Sequence, residues 1–240
     1  MADAIHVLAG RCTTDYRGRT RDQTQHGDVL VVCKPDDTVL VHDATGYQPV
    51  AWLTRPAALD RAGDDILALD GDERLQVTVH ETYEETSVPV SPAGAPVGDC
   101  PDCDDALVRT GDGVVCLGCG ESHGLPRGAT VLDETCPDCG LPRFAVERGD
   151  RVTACLDREC EPLVDRLRAT LDGRWDCPAC GDPLEVVRDP GLRLRCRSHP
   201  DCETDYPLPD GTAVETCDCG LPVLQTASGR RCLDPDCSAG

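Results

Sequence analysis

Between residues 100 and 237 the chain sets down a cysteine quartet about every forty residues, and nothing else constrains its fold as tightly. The quartets are Cys100/Cys103/Cys116/Cys119, Cys136/Cys139/Cys155/Cys160, Cys177/Cys180/Cys196/Cys202 and Cys217/Cys219/Cys232/Cys237. Each opens with a tight pair and closes with a second pair after a dozen or more residues. Two short knuckles joined by a hairpin carry four thiolates to the corners of a tetrahedron, the arrangement zinc favours. A lone CxxC says little; four paired repeats point to four zinc ribbons with one structural ion each. Some twenty residues bury too little to fold alone, so metal binding supplies on the order of 10 kcal/mol or more per ribbon.

A secreted disulfide scaffold is the first alternative for an even set of cysteines. The start MADAIHVLAG has neither the basic residues nor the apolar run of a signal peptide. No apolar stretch approaches the roughly 20 residues that cross a bilayer, so a soluble, cytoplasmic protein without membrane contact is expected. The CPDC, CPAC and CLGC knuckles are followed by Gly or Asp, as metal-binding turns require. Iron–sulfur ligation is the metal competitor, and the two-plus-two spacing does not match ferredoxin runs.

The net charge is −21, from 44 acidic against 23 basic residues, and Lys34 is the only lysine. An acidic, lysine-poor surface is the composition of a protein that stays soluble in very high salt, so a halophilic cytoplasm is expected. A basic partner or nucleic-acid mimicry is the functional alternative. At low salt such a charge argues against nucleic-acid binding, because phosphate contacts need a positive footprint. At molar salt the Debye length falls to about 3 Å and only local contacts count.

The first part of the chain reads as β-rich. In DVLVVCKPDDTVLVH, two β-branched runs flank Lys34-Pro35-Asp36-Asp37, a hairpin with Pro35 at its first central position. Leu75, Val77 and Val79 alternate with Gln76, Thr78 and His80, a half-buried strand. Ile66 to Leu69 and Val50 to Leu53 are further short strands, and Pro56 to Ala62 reads as one helical turn. SVPVSPAGAPVG reads as a linker. Downstream, HGLPRGATVLDETCPDCGLP parallels YPLPDGTAVETCDCGLP, which groups the ribbons as two tandem pairs. PLVDRLRATL is the one plausible helix. The expected fold is therefore mainly β: a half-open β-barrel or sandwich over 1–86, a linker over 87–98, a ribbon pair over 99–160, a helical connector over 161–176 and a second pair over 177–240.

The ribbons CPACGDPLEVVRDPGLRLRCRSHPDC and CPDCGLPRFAVERGDRVTACLDREC are similar to the four-cysteine ribbons at the C-terminus of bacterial-type DNA topoisomerase I. That resemblance implies binding of single-stranded DNA or docking on protein partners. The position two or three before the third cysteine, often aromatic in that family, is here Val114, Thr153, Leu194 or Arg230. Base stacking on such aromatics supplies about 1–3 kcal/mol per base.

GRCTTDYRGRT followed by GDVLVVCKPDDTVLVHDATGYQPVAW resembles the N-terminal domain of the NucS/EndoMS family of mismatch and branched-DNA endonucleases. The resemblance implies a half-open β-barrel that dimerises and contacts DNA. It makes Trp52 the residue that stacks on an extruded base, Arg19 its cationic partner and Arg17 a further contact. The family's Asn before the tryptophan is Ala51 here. Read alone, Trp52 is equally a core tryptophan and Arg19 a surface charge. Cys12 and Cys33 are expected as small buried hydrophobes. His6, His26, His42 and His80 are expected to be structural, and His123 and His199 sit near knuckles whose quartets are already complete.

The nuclease half of that family needs two carboxylates and a lysine around a divalent metal, and no lysine follows Lys34. The expected function is a non-catalytic, zinc-containing protein that binds single-stranded, branched or mismatched DNA in repair or DNA topology, with a homodimer formed through its N-terminal domain. The alternative is a protein-interaction adaptor or regulator of a NucS-type endonuclease or topoisomerase, including one that forms mixed dimers with a full-length nuclease.

Overall fold

The computed structural model describes residues 3–18, 21–63, 65–111 and 113–237. They fall into two compact units, Met1–Ser91 and Pro92–Gly240.

The first unit is one antiparallel sheet. Its strands are β1 (Asp3–Arg17), β2 (Asp22–Cys33), β3 (Val39–His42), β4 (Ala51–Leu53), β5 (Ala58–Ala62), β6 (Asp65–Asp70) and β7 (Glu73–Val90). Their order is β4-β3-β2-β1-β7-β6-β5. Alternate residues of each strand face one side, and Cys12, Val31, Val39, Val41, Ala51, Leu53, Ala68, Leu75 and Val77 are buried there. The sheet curls into a half-barrel around this core, because β4 at one edge packs against β6 and β7. The Lys34–Asp37 turn forms as expected: Asp37 N–H donates to the Lys34 carbonyl at 3.0 Å, and Asp37 takes φ 62°.

Two segments differ from the sequence reading. Residues 58–62 form strand β5 rather than a helical turn; so short a stretch cannot nucleate a helix, whereas β6 offers a ladder that pairs Leu59 with Ala68. The stretch 87–98 is not a free linker, since Val88 pairs with Ile5 and Pro89 with Ala4. Residues 91–94 alone separate β7 from β8 (Ala95–Asp99).

In the second unit β8 joins β9 (Ala106–Thr110), β10 (Gly113–Cys116) and β11 (Ser122–Gly124) in the first ribbon's sheet. The second ribbon holds β12 (Thr130–Thr135) and β13 (Pro142–Cys155). β13 doubles back at Arg148-Gly149. Leu156 N–H donates to the Pro142 carbonyl at 3.1 Å, and Gly149 adopts φ 72° at the tip, a conformation that suits glycine. Helix α1 (Leu163–Leu171) follows, then β14 (Leu184–Arg188), β15 (Leu192–Cys196) and β16 (Asp205–Pro207) of the third ribbon. The fourth holds β17 (Gly211–Thr216), β18 (Pro222–Thr226) and β19 (Gly229–Cys232).

The apolar cores join neighbours. One cluster unites Leu107 and Val114 of the first ribbon with Leu141, Phe144 and Val146 of the second. Another unites Leu184 and Leu194 of the third with Leu221 and Leu224 of the fourth, and takes in Leu167 and Leu171 of α1. Hydrogen bonding crosses this grouping: the β13 tip pairs in parallel with β17, Arg148 with Gly211 and Gly149 with Thr212. A Cβ on Gly149 would lie 3.1 Å from Leu171 Cδ1 and 3.4 Å from Leu208 Cδ1. The Arg148 side chain, 11% exposed, is ion-paired with Asp210 and donates to the Arg127 carbonyl at 3.1 Å.

Candidate functional site

The opening knuckle of each ribbon, and the closing knuckle of the first, are built on the same backbone economy. The amide of the first cysteine donates forward, as from Cys136 to the Leu141 carbonyl at 2.7 Å and from Cys177 to the Asp182 carbonyl at 2.7 Å. The residue four positions on, or three in the tighter fourth ribbon, donates back to that cysteine's carbonyl. It sits in the left-handed region: Gly120 at φ 77°, Gly140 at 78°, Gly181 at 82°, Gly220 at 87°, and Asp104 at 60° in the first ribbon. This turn leaves the amides after each first cysteine aimed at its sulfur.

The four thiols of each quartet lie within 4.8 Å of one another. Their shortest separations run from 3.3 Å for Cys103–Cys116 and Cys139–Cys155 to 3.9 Å for Cys100–Cys119. Disulfides need about 2.05 Å. A tetrahedral zinc with Zn–S bonds of about 2.3 Å has S···S edges of about 3.8 Å, so the donor sets fit a four-thiolate ion. Backbone N–H groups of Asp138 and Cys139 pull Cys136 down to about 7, and that of Cys119 does the same for Cys116, also to about 7. Sharing a proton with Cys136 and Cys139 pushes Cys160 up to about 12. Four thiols this close ionise together only around a cation, and each quartet could hold a dication that would supply it. With all four positions taken by sulfur, such an ion has no place for substrate.

The four positions before the third cysteines serve the ribbons rather than their surface in two cases. Val114 and Leu194 are wholly buried, and Arg230 is exposed and ion-paired with Glu215 at 3.6 Å.

In the first unit, Trp52 stands between buried Ala51 and Leu53 and turns away from the core, 44% exposed. It is therefore not a core tryptophan, and Ala51 faces inward. Arg21, just before β2, reaches over it. The Arg21 guanidinium lies 5.5 Å from the Trp52 ring centroid and 5.6 Å from that of Tyr16, both cation–π distances. Arg17 is exposed at the end of β1 and stands directly opposite Arg74 of β7. Facing like charges cost stability, and the Arg74 Nε is buried without a hydrogen-bond partner. On its other side Arg17 stands opposite Asp22 of β2, so Arg21 is the cation that the structure sets against the two aromatic rings. Arg19 lies outside the described residues. Sequence reasoning missed Arg21, although the run Arg17, Arg19, Arg21 carried the signal as an arginine at every second position.

Comparison with known proteins follows the two units. Residues 2–91 match the Endonuclease NucS N-terminal PH-like domain. Endonuclease NucS 2 of Halobacterium salinarum is 36% identical over 89 residues, covering 35% of this chain and 36% of that protein. DNA topoisomerase 1 of Methanothermobacter thermautotrophicus is 42% identical over 80 residues, covering 29% of this chain and 11% of that protein. The chain thus spans about a third of the NucS relative and a smaller share of the topoisomerase. Among solved structures, EndoMS in apo form is 26% identical with a TM-score of 0.33, covering 37% of this chain and 44% of that chain. The EndoMS–dsDNA2 complex is 24% identical with a TM-score of 0.34, covering 41% and 43%.

Proposed function

We propose that this chain is a non-catalytic DNA-binding protein that holds single-stranded or distorted DNA on the Trp52 face of its NucS-like unit, with one structural zinc in each cysteine quartet. The observation that carries the reading is the Arg21–Tyr16–Trp52 cluster: an exposed indole capped by a guanidinium. A base stacked on the indole gains about 1–3 kcal/mol, and Arg21 supplies a phosphate contact that the rest of an acidic surface lacks. The closed four-thiolate donor sets, which would leave an ion no open position, support a structural rather than catalytic role for the ribbons. The acidic, arginine-based surface supports a high-salt cytoplasm, and the domain match supports a place in DNA repair and self-association through the NucS-like unit.

One observation favours a second reading for the ribbons, as a dock for a nuclease or topoisomerase. Arg143, Arg148, Arg166, Arg168, Arg174, Arg193, Arg195, Arg197 and Arg230 already pair with carboxylates, which leaves them little reach for phosphate.

Fluorescence anisotropy with single-stranded, branched and mismatched DNA in molar salt tests both. Trp52→Ala should weaken binding roughly 5- to 150-fold, the equivalent of 1–3 kcal/mol. Arg21→Ala should lower the log–log salt slope for single strands by about 0.7. Binding that survives Trp52→Ala, Arg19→Ala and Arg21→Ala unchanged would sink the Trp52 face as the site. No binding at all would leave the docking reading.

A further inference from the structure

On the half-barrel, away from Trp52, β7 carries two bulges within six residues. Val79 pairs with Cys12 and Glu81 with Arg11, which leaves His80 as an extra residue; Thr82 pairs with Gly10 and Glu84 with Ala9, which leaves Tyr83 as another. Bulges re-aim side chains and recur beside functional sites. Here the close approach of the two strands depends on Gly10, where a Cβ would collide with the Glu81 carbonyl.

The result is a polar cluster spanning β2, β1 and β7. His26 is the register partner of Thr13. Its Nδ1 lies 3.0 Å from the Thr13 hydroxyl oxygen, and His80 Nε2 lies 2.8 Å from the same oxygen. The two rings are 5.4 Å apart, centre to centre. Both histidines are exposed. Beside them, Asp28 accepts hydrogen bonds from Tyr83 at 2.8 Å and Arg11 at 3.1 Å, and Arg11 also reaches Glu81 at 3.5 Å.

The geometry points to a fifth metal site, formed by His26 Nδ1 and His80 Nε2, for a borderline divalent ion such as zinc. Imidazole is the nitrogen donor such ions prefer. The two ring nitrogens already approach each other, since both lie within 3.0 Å of one atom, the Thr13 hydroxyl oxygen. Both rings are exposed, so each can swing off that oxygen and meet an ion beside it at about 2.0–2.1 Å, the length of a Zn–N bond. The Thr13 hydroxyl then becomes a neighbour that orients the ion's water. Asp28 and Glu81 supply negative field, partly offset by Arg11. With two protein ligands the ion keeps open positions for water or for an oxygen donor on a bound partner, unlike the closed four-sulfur sites.

Calorimetric titration of the full chain with zinc, after its tight sites have been saturated and excess metal dialysed away, tests this. The wild type should show one further, weaker binding event. His26→Gln and His80→Gln each keep a side chain that can bond Thr13, and each should weaken that event at least tenfold. His123→Gln, in the ribbons, should leave it intact. The C–H resonances of His26 and His80 should shift together during the titration. A wild type with no further event, or an event of unchanged affinity in both glutamine variants, would overturn the assignment.

Discussion

The ion pair at the β13 tip makes the sharpest energetic prediction. Arg148 is 11% exposed and Asp210 is 48% exposed, and burial lowers the pKa of the Arg148 guanidinium. Removing one partner of a fully buried pair costs about 3–5 kcal/mol, because the other charge is left uncompensated. Asp210 is half in water, so the expected cost of Asp210→Asn is nearer 2 kcal/mol. That is about thirtyfold in the opening constant of the tip. The effect is local, since the tip joins β17 through only two register pairs. Hydrogen exchange by mass spectrometry over residues 145–152 and 208–216 should therefore show about thirtyfold faster exchange in Asp210→Asn with metal present. The double variant Arg148→Met/Asp210→Asn removes both charges and should recover most of the protection. An exposed pair such as Arg11–Asp28 fades in molar salt; this one should not. Unchanged exchange in Asp210→Asn, or an effect that molar salt abolishes, would refute the claim that the pair locks the second ribbon to the fourth.

Metal analysis should find four tightly held zinc ions per chain. Chelation should remove the β signal of residues 92–240 in circular dichroism, and a content near two would mean that one ribbon pair lacks its metal. Asp104 holds the left-handed position that glycine fills in four other knuckles, so Asp104→Gly should relieve about 1 kcal/mol of strain. Slower zinc release from the first quartet to a metallochromic chelator would show it, and faster release would contradict it. The Asp28 carboxyl is held below its usual range by the Tyr83 hydroxyl first and Arg11 second. Its contribution to stability is thus present above the ordinary carboxylate pKa and lost as pH falls through the lower folded value. Tyr83→Phe should move that titration back toward about 3.9, followed by carboxyl carbon shifts; an unmoved midpoint would assign the effect to Arg11.

The quartets were legible because metal-ligand spacing is a local code: two cysteine pairs mark each ribbon, and a left-handed residue, glycine in three of the four, shapes its opening knuckle without reference to the rest of the chain. Trp52 was legible in part. Its flanks, Ala51 and Leu53, alternate inward as strand residues do, which leaves the indole outside. What escaped the sequence depends on remote partners. Residues 88–90 look like linker and are strand because residues 3–5 lie beside them. Arg21 meets Trp52 only because the curled sheet brings them together, and no spacing rule connects positions 21 and 52. His80 reads as one polar residue in an alternating strand, and its convergence with His26 requires a bulge that period-two reasoning cannot place.

The docking of the β13 tip also bears on biosynthesis. Its partners Leu208 and Asp210 are made some sixty residues after Arg148, and chains emerge N-terminus first. Until then Arg148 has the Arg127 carbonyl but no carboxylate partner, and the turn around Gly149 has Leu171 beside it but neither Leu208 nor the β17 ladder, even with the first two quartets filled. A stalled, truncated or metal-starved chain would carry that tip in the open as a mark of incompleteness, a ready point for a protease to distinguish unfinished copies from finished ones.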